Sequence, residues 1–188
     1  GGFFAVYSYI APLVTEVSGA PEWVVPIILV LMGLGMTAGN LVGGHLADID
    51  LRRTLLFGLV AMAVVFALLA VLAFWIVTLA LLVLVVGFVS SVLSPTIQTR
   101  LMDVAGDNQS IAAAMNHSAL NIGNSLGAFL GGTVIALGWG FTAPSWTGAA
   151  LAVAGLVIAL LSYRSEARTT VLAEMRARPT AAESVRRS

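Results

Sequence analysis

The chain has 188 residues, of which 59% are hydrophobic and only 10% charged, with nine basic and nine acidic side chains and no cysteine. A soluble domain carries roughly 25% charged residues, and the mean hydropathy of +1.00 is far from such a composition. Disulfides and thiolate metal sites are excluded, and the zero net charge conceals an uneven distribution along the chain.

No charged residue occurs between Glu22 and Asp48, between Arg53 and Arg100, or between Asp107 and Arg164, and about 20 apolar residues suffice for one helical crossing of a bilayer. The expected fold is all-α and polytopic. Six spans follow in order, Phe3 to Val17, Val24 to Leu46, Thr54 to Phe74, Ile76 to Thr99, Ile111 to Leu137 and Trp146 to Tyr163. The start, Gly1-Gly2 with no basic n-region and with Pro12 and Glu16 where a cleavage site would fall, reads as a truncation and not a signal peptide.

With the N-terminus in the cytoplasm, Arg52, Arg53, Arg100 and the tail arginines from Arg164 onward all fall inside, while the outer turns carry Glu16 and Glu22. This satisfies the positive-inside rule. Trp23, Trp75, Trp139 and Trp146 all fall at the outer turns, where amphipathic rings favour the interface. The expected location is therefore the inner or plasma membrane, multi-pass, with both termini cytoplasmic. Residues 1–163 make the bundle. Residues 164–188 make an arginine-rich cytoplasmic tail, expected to be mobile and drawn to anionic lipid.

The second span contains Gly35, Gly39, Gly43 and Gly44, and the fifth repeats the pattern 88 residues later at Gly123, Gly127, Gly131 and Gly132. With Pro12 in the first span and Pro95 in the fourth, this suggests two three-helix units, inverted because three is odd, as in secondary transporters. Glycines four apart make a groove for close helix packing, so Gly35, Gly39, Gly123, Gly127 and Gly131 are expected at helix contacts.

His117, Asn121 and Asn124 form a polar stripe on the fifth span, about a quarter turn from the glycines. Ser91, Ser94 and Gln98 share a face of the fourth, and the second offers Thr37 and Asn40. Such stripes either bond between helices or line a wet cavity. Tyr7 and Tyr9 either wall that cavity or pack. The candidate substrate-binding residues are Tyr7, Asn40, Ser91, His117, Asn121 and Asn124, which together present neutral donors and acceptors to a neutral or zwitterionic solute. The span centres hold no Asp, Glu, Lys or Arg, so a proton-titrating carboxylate is expected outside this segment.

The stretch Gly43-Gly44-His45-Leu46-Ala47-Asp48-Ile49-Asp50-Leu51-Arg52-Arg53 resembles the inner-loop motif of the major facilitator superfamily, marked by Gly, Leu-Ala-Asp and a terminal Arg pair. Ile49 replaces a usual basic residue and Leu51 a usual Gly, which looks like the second copy, between helices 8 and 9 of a twelve-helix transporter. The resemblance implies that Gly43, Gly44, Asp48, Arg52 and Arg53 form a conformational latch whose partner lies in the other half. Tyr7-Ser8-Tyr9-Ile10-Ala11-Pro12 looks like the start of that C-terminal half. Gln98 to Met102 and Asn116 to Gly123 are similar to the drug:proton antiporter branch, nearest to arabinose-efflux-like and chloramphenicol-resistance exporters.

The family implies export of a small neutral or amphipathic compound against proton entry, without a cofactor and driven by the proton gradient. A sugar or metabolite exporter of the same fold is the alternative within the family. The expected partners are the missing N-terminal six-helix half, membrane lipids and the small-molecule substrate. A half-size scaffold protein or a homodimer is the alternative arrangement.

Several motif matches fail in context. Gly123-Asn124-Ser125-Leu126-Gly127 imitates a nucleophile elbow, but the base nearest it in the chain, His117, lies on the same helix about 80° away and no acid accompanies it. The run Gly33 to Ala38 lacks the βαβ unit of a dinucleotide site. Metal ligation lacks ligands, and nucleic-acid binding lacks basic patches with interleaved aromatics, so no enzymatic role is expected.

Overall fold

Pro12 decides the form of the first crossing. Lacking an N–H, it closes no helical bond to the Ser8 carbonyl. In the computed structural model the segment is three short pieces: α1, Gly2–Tyr7; α2, Ile10–Pro12; and a π-helical turn, Leu13–Val17. The Tyr9 N–H reaches back to the Val6 carbonyl at 3.0 Å, and the Ser18 N–H bonds the Leu13 carbonyl at 3.2 Å, the wider reach of a π turn. The single helix expected from Phe3 to Val17 is therefore interrupted. The structure describes residues 1–177, with the side chains of residues 107 and 166–177 outside the description.

Helix α3, Val24–Leu72, has 49 residues, about twice what a bilayer core accommodates, and it turns at Asp50 (φ −155°, ψ 92°). The Asp50 carboxylate accepts the Arg53 N–H at 2.9 Å and so caps the second arm, while the Thr54 hydroxyl donates to the Leu46 carbonyl across the bend at 2.8 Å. Gly43 in the first arm faces Val92, and Gly58 in the second faces Leu93. Those are adjacent residues of one helix, so the two arms lie side by side and antiparallel. The loop expected over Ala47 to Arg53 contracts to one non-helical residue because a single carboxylate supplies the cap.

Helices α4 (Ile76–Ala105), α5 (Gln109–Ala136) and α6 (Ala143–Ala177) follow, with a 3-10 turn at Gly106–Asn108. Among the described residues, four helices are long and apolar enough to cross a membrane: Val24–Leu72, Ile76–Ala105, Gln109–Ala136 and Ala143–Ser165. Two arms of α3 and the interrupted first segment bring the crossings to six, as two inverted three-helix units. Helix α6 runs beyond Tyr163 into the stretch expected as a mobile tail. Residues 178–188, with the rest of that expectation, lie outside the described residues.

Glycines join the two units reciprocally. Gly35, Gly39 and Gly43 of α3 lie on Leu84, Phe88 and Val92 of α4, whereas Gly127 and Gly131 of α5 lie on Gly1 and Ala5 of the first segment. A Cβ on Gly43 would stand 2.8 Å from the Val92 Cα, and one on Gly131 2.9 Å from the Ala5 carbonyl, closer than real side chains approach. In both pairs residue numbers rise together, so the partners run parallel, and the second helix of each unit seats on the first helix of the other. Phe66, Leu69, Leu79, Val83 and Ile28 fill the apolar core between them. Trp23, Trp75, Trp139 and Trp146 are exposed and gather at helix ends, Trp23 and Trp75 preceding α3 and α4 directly. Arg52, Arg53 and Arg100 mark the opposite end of the bundle.

Candidate functional site: a neutral polar cavity inside the bundle

All six crossings contribute to one cavity of about 480 Å³. The first segment supplies Phe3 and Phe4, and the arms of α3 supply Met36 and Asn40, then Leu59, Met62 and Phe66. From α4 come Ser90, Ser91 and Ser94, from α5 Asn116, Leu120 and Asn124, and from α6 Leu151 and Ala152. The volume lies within the roughly 300–1,000 Å³ of small-molecule sites. No lining side chain is ionisable. Hydroxyls and carboxamides line it together with aromatic, Met and Leu side chains, so the cavity suits an uncharged amphipathic molecule.

The hydroxyl of Ser90 is spent on the Gly87 carbonyl at 3.0 Å. Asn40, Ser91, Ser94, Asn116 and Asn124 have no hydrogen-bond partner for their side chains among the described residues. A second hollow of about 430 Å³ lies between the arms of α3 and α4 and is lined by Leu46, Ile49, Phe57 and Val92, with Asp50 and Arg53 at its edge. Ile49 and Phe57 are largely exposed there. Apart from Thr54, Asp50 and Arg53 its lining side chains are apolar.

Of the six residues singled out in the sequence, Asn40, Ser91 and Asn124 meet in the cavity, and Tyr7, His117 and Asn121 do not line it. Tyr7 is exposed and stacks on Phe3, with ring centroids 5.7 Å apart. Tyr9 is spent on packing: its hydroxyl donates to the Ala128 carbonyl at 2.8 Å, and its ring lies over Gly131 and Gly132. His117 and Asn121 are exposed on α5. The reason is angular, since at about 100° per residue the glycine face of α5 turns inward and a stripe a quarter turn away is left outside. Asn116 was not singled out, although it falls in line with Gly123 and Gly127 at i+7 and i+11; that alignment was the available signal.

At the arginine end, Arg53 pairs with Asp50 (Nε to Oδ2, 3.1 Å), and Asp48 is exposed in the first arm of α3. Arg52 and Arg100 both lie over the ring of Tyr163, their guanidinium carbons 5.0 and 4.6 Å from its centroid. This ties α3, α4 and α6 together by cation–π contacts. Gly43 serves the α4 contact, and Gly44 faces open space. Ser125 sits in the middle of α5, exposed, with none of the strand-turn-helix geometry of a nucleophile elbow.

Comparison with known proteins agrees with this architecture. The family model described as Major Facilitator Superfamily matches residues 1–187. The chain is similar to the inner membrane transport protein YdhP of Escherichia coli, 33% identical over 92% of this chain and 44% of that protein. It is also similar to a chloramphenicol resistance protein of Streptomyces lividans, 31% identical over 83% of this chain and 40% of that protein. The putative transporter AraJ of Escherichia coli is 28% identical over 92% of this chain and 45% of its own length. The chain thus spans less than half the length of the relatives it matches. An all-helical, six-crossing bundle with reciprocal glycine seams and a family match along almost its whole length places this integral membrane protein in the major facilitator superfamily.

Proposed function

We propose that this chain forms the C-terminal six-crossing half of an exporter of small neutral or amphipathic compounds, working by proton antiport. The observation that carries the reading is the cavity of Asn40, Ser91, Asn116 and Asn124, which offers amides and hydroxyls with no ionisable side chain. A charged solute entering such a site would lose hydration without gaining a counter-charge. The name of the Streptomyces lividans relative supports chloramphenicol, itself uncharged, as the first compound to try.

The other half of the transporter supplies the second wall. The exposed polar side chains His117, Ser118, Asn121 and Ser125 of α5 support this, because such a face is costly against lipid and is satisfied by other helices or a wet passage. The arginine end faces the cytoplasm under the positive-inside rule. Transport then proceeds as this bundle rocks against its partner around the cavity. The proton-titrating carboxylate lies in the other half, since the crossings described here have none at their centres.

Everted membrane vesicles containing the full-length protein provide the test. Radiolabelled chloramphenicol is expected to accumulate inside them when a proton gradient is imposed, and to leak out when a protonophore collapses it. Accumulation insensitive to the protonophore would remove proton coupling, and no accumulation would remove chloramphenicol as cargo.

A further inference from the structure

Two residues that line the cavity are almost wholly buried, make no side-chain hydrogen bond among the described residues, and keep their polar atoms accessible. Asn116 on α5 is 7% exposed and Ser91 on α4 is 4% exposed. Both line the cavity, whereas Asn40 and Ser94, which line it too, are exposed. A carboxamide whose polar atoms open onto a cavity, with the rest of the residue packed away, makes its hydrogen bonds with whatever occupies that cavity, water or ligand. Thr96, equally buried one turn from Ser91, shows the alternative: its hydroxyl donates to the Val92 carbonyl at 2.7 Å. Asn116 and Ser91 make no such internal bond.

We infer that Asn116, with Ser91 of α4 lining the same cavity, is the specificity-determining contact of the cavity, and that it reads an uncharged group able both to donate and to accept a hydrogen bond, an amide or an alcohol. The inference rests on the reading of this cavity as the substrate site and narrows the substrate class. A carboxamide presents two donors and an acceptor, and a hydroxyl one donor and two acceptor lone pairs. Together they complement a group of the same mixed character. A carboxylate would accept from the amide N–H groups but find no cationic side chain to offset its charge, and an ammonium would find no anionic one. The apolar remainder of the ligand lies against Phe66, Met62 and Leu59, which line the same cavity from the second arm of α3. The substrates therefore combine a hydrophobic body with at least one amide or hydroxyl. A site that hydrogen-bonds such a group rejects analogues lacking it, because its own polar atoms are then stranded.

The test uses the full-length transporter in proteoliposomes, with binding of chloramphenicol, isopropyl thiogalactoside and the cation tetraphenylphosphonium measured between pH 5 and 8. The wild type is expected to bind one or both neutral probes with an affinity independent of pH. Asn116→Leu should weaken that binding about 10- to 100-fold, and Ser91→Ala about 3- to 10-fold. Asn116→Asp should bind the neutral probe more tightly as pH falls, since only the protonated acid reproduces the donor-acceptor pair, and a role in packing alone would produce no such pH dependence. Should Asn116→Leu not reach the membrane, Asn116→Asp and Ser91→Ala carry the test. Wild-type binding matched by every variant, with a flat pH profile for Asn116→Asp, overturns the inference and leaves the cavity reading intact. A wild type that binds neither neutral probe, whatever its affinity for tetraphenylphosphonium, overturns both.

Discussion

Gly39 sets its bare Cα against the main-chain carbonyl of Phe88, so closely that a Cβ there would overlap the carbonyl oxygen. Gly127 meets the carbonyl of Gly1 in the same way, which makes the two contacts equivalents across the inverted repeat. The expected consequence is that Gly39→Ala and Gly127→Ala each destabilise the protein by about 1–3 kcal/mol, the cost of forcing packed backbones apart. Gly33 faces open space, so Gly33→Ala should be neutral or stabilising by up to about 1 kcal/mol through helix propensity. Thermal unfolding of the three variants in detergent separates these outcomes; equal losses at Gly33 and Gly39 would contradict the seam.

The ring of Tyr163 carries Arg52 at 5.0 Å and Arg100 at 4.6 Å, one guanidinium from α3 and one from α4. Tyr163→Phe keeps the aromatic face and is expected to stay close to wild type. Tyr163→Leu should lose about 1–2 kcal/mol of stability, the sum of two partly exposed cation–π contacts. The comparison is read from thermal midpoints in detergent, and a Phe variant as weak as the Leu variant would assign the effect to the hydroxyl.

Asp50 acts through its cap more than through its charge. Its partner Arg53 is 79% exposed, and exposed ion pairs contribute little, whereas loss of a helix cap costs about 1 kcal/mol. Asp50→Asn, which still accepts the Arg53 N–H, should therefore nearly match wild type, while Asp50→Ala should lose about 1 kcal/mol. Arg53→Gln, which keeps its N–H, should be nearly silent. Detergent unfolding of the three variants decides the matter, and an Arg53→Gln loss equal to that of Asp50→Ala would restore the ion pair to first importance.

Asn121 is exposed on α5 and does not line the cavity. Under the proposal of a two-half chloramphenicol exporter, Asn121→Leu is expected to leave chloramphenicol affinity within about twofold of wild type while export falls, because the proposal sets this face of α5 against the other half. The chain contains no cysteine, so Asn121→Cys provides a unique thiol in this half. Its crosslinking to a cysteine placed on the other half, with lipid-soluble maleimide labelling as the competing outcome, shows whether α5 faces protein or lipid.

The sequence by itself determined the membrane character, the six crossings and the pairing of two three-helix units, because these rest on charge-free runs, on tryptophans and on a glycine repeat that survive without any coordinates. The contraction of the Ala47 to Arg53 loop to the single bend at Asp50 required the structure, since capping by the Asp50 carboxylate depends on a backbone geometry that composition does not encode. The same holds for the interruption after Tyr7, where Pro12 was visible but the π turn that absorbs it was not. The candidate site divided along a similar line. Polar stripes were legible, but which side of α5 faces inward was decided by the contact of Gly127 and Gly131 with the first segment. That contact turned His117 and Asn121 outward and carried Asn116 into the cavity that Ser91 also lines. A helical stripe fixes relative angles, and only packing against the other helices fixes the zero of rotation.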